Sequence, residues 1–330
     1  MAPTVTEFTA PVPQAEFGIL KDHLPQSLAL FRRLQFTHYP SGTSEHARYL
    51  FATDSDGGPN GGDRQGHANP RHFAAAYLDL SKGPETEMYF FSSLEDATDL
   101  TAVPDDEVEH VLDLAVALFQ RARLIAQAAA SSGAYKLFRG ASGASAGGVM
   151  VGGLHQPTYE LLRERRGLTS SYWNPHDVWL FRLDRLPALG EGPVGLRAGD
   201  PGGQGLRWDV VRREDVPLIA SRTKIPKVEA TLMSEPSVGV RDAAEALVAW
   251  GFIGVAGTLS TLHVEEPYRG KGMAKAVATK VLREHSFGDD GWSSADVHID
   301  NVQSQGVCKG LGGEKGWRTC WTVIDFDSIP

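Results

Sequence analysis

The residues best placed to do chemistry lie in one stretch, Thr261–Thr279, which reads TLHVEEPYRGKGMAKAVAT. A β-type run ends at Val264, Pro267 marks a turn, and Arg269-Gly270-Lys271-Gly272 leads straight into a helical pattern. Glycines let a backbone come close to a phosphate, and the first N–H groups of a helix have no partner inside it. Those donors, the positive end of the helix and the two basic side chains together describe an anion cradle. The plainer alternative is a β–α turn with two solvated cations. The stretch fits neither G-x-x-x-x-G-K-[ST] nor G-x-G-x-x-G, so a nucleotide P-loop and a dinucleotide fingerprint are both excluded.

Stepping outward, the elements that must hold this turn are a strand over Thr258–Val264 and a helix over Gly272–His285, with Met273, Ala276, Val277 and Val281 on one face. A strand at Asp296–Ile299, a short helix after Asn301 and an alternating strand over Trp317–Phe326 follow. Upstream, strands read at Arg207–Val211, Ser237–Val240 and Leu247–Ile253, with helical segments within Glu214–Met233. The N-terminal half repeats this order. It has a helix near Pro25–Leu34, strands at Arg48–Phe51, Phe73–Leu80 and Glu87–Phe91, a long helix opening at Pro104, a helix at Thr158–Arg165 and a strand at Val178–Leu183.

Between the halves, Pro187–Gly205 holds seven glycines and three prolines and reads as a linker. The expected organisation is therefore residues 1–186, a linker over 187–204, and residues 205–330. The fold class is α/β: a mixed, twisted sheet flanked by helices, present as tandem copies. Two domains also suit 330 residues at about 150 per domain.

The cradle segment resembles the signature of the GNAT (general N-acetyltransferase) superfamily, [Q/R]-x-x-G-x-[G/A] after a strand, carried here by Arg269, Gly272 and Ala274. Asn301-Val302-Gln303-Ser304 through Leu311-Gly312 is similar to the family's N-x-x-[A/S]…L-G segment. The resemblance implies that acetyl-CoA is the cosubstrate and that backbone amides of Arg269, Gly270, Lys271, Gly272, Met273 and Ala274 hold its pyrophosphate. Main-chain groups near Leu262 and Val264 would pair with the pantetheine arm, and Asn301 would border the cleft. The reaction implied is direct attack of an amine on the thioester, which makes positioning the main task. A general similarity to glycine N-acyltransferase-like enzymes points to a small-molecule amine acceptor.

The sequence departs from the family at the groups that move protons. Family members often carry an acidic residue or histidine four or six positions before the valine aligned with Val264. Ser260 and Thr258 stand there, and neither is a strong base near neutral pH. Ser260 remains a candidate for orienting a water. Cys308 replaces the family's frequent general-acid tyrosine, and a thiol can protonate a leaving thiolate. His298, with Asp296 and Asp300 on the same face by two-residue alternation, ranks first among proton acceptors, and His155 second. His263 is expected to face away from Ser260. Other chemistry on the same scaffold, acyl-CoA decarboxylation or O-acyl transfer, and a non-catalytic acyl-CoA-binding role are the competing readings.

In the first half, the connection matching the cradle is SSLEDATDLTAVPDD, with five acidic residues, no glycine and no basic one, so it repels a pyrophosphate. This copy is read as degenerate, a wall for the acceptor pocket. Gly140–Gly153 is a rival phosphate loop but offers no lysine; a loop or a closely packed strand suits it better. The aromatic run Thr169–Phe181 reads as core plus turn. The net charge of −9 disfavours nucleic acid. Two cysteines make neither a disulfide framework nor a metal site, so no metal is expected. No apolar run approaches the roughly 20 residues that span a bilayer and no secretory leader is evident, so the expected setting is cytoplasmic and away from membranes.

Overall fold

The computed structural model describes residues 3–53, 70–83, 85–134, 147–189, 205–223, 225 and 227–330. The loop at 54–69, most of the linker and the start of the Gly140–Gly153 stretch lie outside them. In chain order the elements are β1 (Thr4–Thr9), α1 (Gly18–Asp22), α2 (Leu28–Phe36), β2 (Arg48–Thr53), β3 (Ala74–Leu78), β4 (Met88–Ser92), α3 (Asp105–Ser132), β5 (Gly148–His155), α4 (Gln156–Arg166) and β6 (Ser170–Arg182). They continue as β7 (Arg207–Asp209), α5 (Val216–Arg222), α6 (Glu229–Ser234), β8 (Ser237–Arg241), β9 (Leu247–Ile253), β10 (Leu259–Val264), α7 (Met273–His285), β11 (Trp292–His298), α8 (Val302–Gly310) and β12 (Glu314–Asp325).

Two compact units divide the chain, Met1–His176 with Trp317–Pro330, and Asp177–Gly316. The chain thus passes from one to the other inside β6 and returns inside β12. In the first unit the strand order is β1-β2-β3-β4-β5-β12-β6; the β1–β2, β2–β3, β3–β4 and β5–β12 pairs are antiparallel and the β4–β5 pair is parallel. The long helix α3 starts behind Pro104 with Asp105, Asp106 and Glu107 in its first turn, and stops at Gly133, whose φ is 66°. Its buried stripe, Val108, Val111, Leu112, Ala115, Leu118, Phe119 and Ala122, covers one sheet face and makes a core with Leu50, Phe90 and Ile324.

Gly148–His155 is a strand, and its glycines have a packing cause. A Cβ on Gly148 would stand 2.5 Å from the Ile324 carbonyl oxygen, and one on Gly152 would stand 2.6 Å from Thr86 Cγ2. That close approach by β12 settles the described part of the stretch as a closely packed strand. β6 extends further upstream than Val178, so the run read as core plus turn is extended throughout. β1 escaped the sequence reading, as a half-exposed edge strand does when little of it is buried.

The second unit holds an antiparallel sheet, β10-β9-β8-β7. Val211, Val216, Ile219, Leu232, Leu247, Trp250 and Phe252 form a core on one side of it. On the other side α7 packs Val277 and Val281 toward Gly251. Arg241 clamps this unit from within: its guanidinium donates to both oxygens of Asp215, at 3.1 and 2.6 Å, and to Asp209 at 2.7 Å.

Candidate active site

The site is built where two neighbouring strands part. Thr258, just ahead of β10, makes a single parallel bridge to Ser294 of β11, and no ladder between the two strands follows among the described residues. The gap between them opens toward the start of α7. On β10 the register slips between Ser260, opposite Phe252, and His263, opposite Trp250. Thr261 and Leu262 together face one residue of β9, which is a β-bulge. Thr261 is left-handed, with a φ of 51°. A β-branched residue is rare in that region, so the surrounding structure enforces it.

The turn after β10 has the features of a cradle. Gly270 and Gly272 take φ values of 76° and 80°, and a Cβ added to either would meet open space. Gly272 is the residue before α7, so the first amides of that helix follow two glycines that no side chain shields. Arg269 Nε donates to the Val264 carbonyl oxygen at 2.8 Å, which holds the turn against the end of β10. The carbonyl expected to face a pantetheine arm therefore already accepts one bond, with one lone pair left. Lys271 stands between the two glycines, half-buried. Met273, the first residue of α7, is buried and anchors the helix, and Ala274 is half-buried beside it.

Asn301 stands ahead of α8, where its side-chain oxygen accepts from the Ser304 amide at 3.0 Å. It is an N-cap that fixes the helix bordering the gap. Cys308, on α8, is buried, and burial with the nearby Asp296 carboxylate pushes its thiol up to about 12. His298 closes β11: its Nδ1 accepts from the Asp300 amide at 3.2 Å, and Asp300 Oδ2 lies 3.8 Å away. The imidazole is thus engaged in its own turn, with its side chain still 38% exposed.

Asp296 and Ser260 carry the features that sequence reasoning underweighted. Burial pushes the Asp296 carboxyl up to about 7, within reach of neutral pH. By sequence it is only a flanking residue of His298, because nothing in the local sequence announces desolvation. Ser260 Oγ lies 3.0 Å from Lys227 Nζ and 3.1 Å from Thr261 Oγ1. His263 stacks on Trp250, with centroids 4.6 Å apart, and burial lowers its basicity. His155 is in the first unit, where it bonds Thr158 Oγ1 at 2.9 Å; burial pushes it down to about 4, so it is neutral and structural.

The connection between β4 and α3 in the first unit carries no cradle. It winds into short turns closed by Ser92 and Glu95, the Ser92 amide donating to Glu95 Oε1 at 2.9 Å, and by a 2.5 Å contact between His23 and Asp96. Among the described residues no cluster of His, Cys, Asp and Glu could hold a metal, and no helix is long and apolar enough to cross a membrane.

Comparison with known proteins gives two family matches. Residues 5–184 match the acyl-CoA N-acyltransferase verG N-terminal domain. Residues 237–322 match the FR47-like protein family. A Drosophila protein of known structure superposes with a TM-score of 0.59 at 14% identity, covering 98% of this chain and 100% of its own. A tandem GNAT protein from the clavulanic acid biosynthesis pathway superposes with a TM-score of 0.50 at 14% identity, covering 99% of each chain. At that identity the likeness is one of fold. No curated protein matches the chain in sequence.

Proposed function

Because the chain belongs to the acyl-CoA N-acyltransferase family of the verG N-terminal domain, as a two-domain member of the GNAT superfamily, we propose that its second unit binds acetyl-CoA and transfers the acetyl group to a small-molecule amine. One observation carries this reading: the left-handed pair Gly270 and Gly272 opens the start of α7 beside the gap between β10 and β11. The pyrophosphate would lie on the amides from Arg269 to Ala274, with Lys271 adding positive charge. The pantetheine arm would follow β10 past Val264 and Leu262, in the manner of an added strand. Asn301, through its cap, holds the helix that lines the other side.

The thioester carbonyl would lie near Thr261 at the bulge, and the amine would approach from the Ser260 side. Asp296 and His298 on β11 stand as acceptors for the amine's proton. Cys308, its thiol pushed up to about 12, is too weak an acid to protonate a thiolate whose ordinary value is near 8.5, and the departing thiolate takes its proton from water. The acidic β4–α3 connection supports one coenzyme site per chain.

The test is a calorimetric titration of the whole chain with acetyl-CoA, with Gly272→Glu as control. One saturable site, lost in the control, supports the reading and justifies screening amines for thiol release. No binding by folded wild type removes it, and two sites would show that the first unit also takes the coenzyme.

A further inference from the structure

The character of Ser260 is set by charge brought from outside its strand. Lys227, just ahead of α6, donates from Nζ to Glu235 Oε1 at 2.7 Å, to Glu235 Oε2 at 2.6 Å and to Ser260 Oγ at 3.0 Å. The Glu235 side chain is 1% exposed and that of Lys227 is 15% exposed. An ammonium has three donors and no acceptor, and these three oxygens engage all of them. A pair buried this deeply is costly to break, since removing one partner strands the other's charge. The Ser260 oxygen therefore sits as an acceptor in a fixed bond, and its own proton is left to donate. Thr261 Oγ1, at 3.1 Å, is one neighbour in reach of it. A hydroxyl whose oxygen accepts from a cation is polarised into a stronger donor and a weaker base.

The position where a strand carboxylate would serve as base is thus occupied by a hydroxyl tied to a cation. We propose that Lys227 and Glu235 are positioning residues that make Ser260 a hydrogen-bond donor to the carbonyl oxygen of the bound thioester. This rests on the coenzyme A reading given above. Ser260 lies at the upstream edge of the bulge, next to Thr261, where a pantetheine arm running along β10 delivers its acyl group. As the amine attacks, the C–N bond forms and the carbonyl π pair moves onto oxygen. The Ser260 O–H stabilises that oxyanion, and its collapse breaks the C–S bond and expels the thiolate. The amine's proton does not pass to Ser260, whose oxygen is already held by Lys227; it passes to the acceptors on β11 or to water, and the thiolate takes a proton from water.

The probe is acetyl-CoA labelled with carbon-13 at the thioester carbonyl, bound to the full chain and followed by NMR, with calorimetry alongside. The expected result is a downfield carbonyl shift in the wild type, retained in Ser260→Thr and lost in Ser260→Ala and Lys227→Met. The dissociation constant should stay within about threefold across the set, since a bond that strengthens with developing charge adds little to ground-state binding. If Lys227→Met does not fold, Lys227→Gln, which keeps an N–H donor without the charge, is expected to give an intermediate shift. Wild type that binds the coenzyme with no carbonyl shift, or a shift unchanged in Ser260→Ala, overturns the proposal. Wild type that does not bind acetyl-CoA at all overturns the coenzyme A reading itself, and this proposal with it.

Discussion

Arg269 reaches back along the chain to Val264, its Nε donating at 2.8 Å to the carbonyl oxygen of the last residue of β10. The arginine that the family signature places at the pyrophosphate thus also ties the turn to the strand. Arg269→Lys keeps the charge and loses the tie. Charge-assisted bonds are worth about 1.5–3 kcal/mol, so the acetyl-CoA dissociation constant should rise at least about tenfold by calorimetry. An unchanged constant would mean that only the charge matters.

Gly272→Ala separates conformation from electrostatics. At a φ of 80° an alanine pays for its Cβ, while the methyl itself meets nothing. A left-handed alanine costs about 1–2 kcal/mol, which urea unfolding should register. The methyl would also stand on the open side of the turn, so acetyl-CoA binding should weaken by more than that strain alone predicts.

Thr261 holds a φ of 51° within the bulge, a conformation that asparagine adopts more readily. Thr261→Asn should therefore raise stability by about 1 kcal/mol, read as a higher thermal midpoint. A lower midpoint would show that the Thr261 hydroxyl matters more than the backbone.

Glu87, in the first unit, is buried with Oε2 accepting from the Met150 amide at 2.9 Å, while Oε1 has no partner among the described residues. Burial pushes its carboxyl up to about 8. A raised carboxyl is a proton held more tightly by the folded state than by the unfolded one. The stability it supports is complete below the ordinary carboxylate range and is lost as pH rises through about 8. Glu87→Gln should flatten that decline in denaturation series run between acid and mildly alkaline pH; an unchanged slope would place the titration elsewhere.

What was legible in the sequence follows from distance along the chain. The cradle was readable because a strand end, two glycines and a helix start are contiguous, and the same holds for β9, α7 and the stripe of α3. The strand at Gly148 was harder, because the reason for its glycine is the Ile324 carbonyl oxygen, a contact supplied by the far end of the chain. Lys227, Glu235 and Ser260 belong to three separate segments, and no spacing rule joins them. Asp296 was visible as a residue but not as a titrating one, since desolvation is a property of the packed neighbourhood. Alternation along β10 also fails at the bulge, which a run of Ser, Thr, Leu and His does not declare.

The insertion of β12 between β5 and β6 has a consequence for how this chain is made. The first unit joins Met1–His176 to Trp317–Pro330, with the whole second unit between them in the chain. On the ribosome, its sheet must wait with a gap between two strands until β12 emerges, and Gln120 and Arg123 of α3 must wait for the carbonyls of Pro330 and Ile329 that they bind. Vectorial, half-by-half folding is closed to this topology. The first unit completes last, after the whole of the second has already been synthesised.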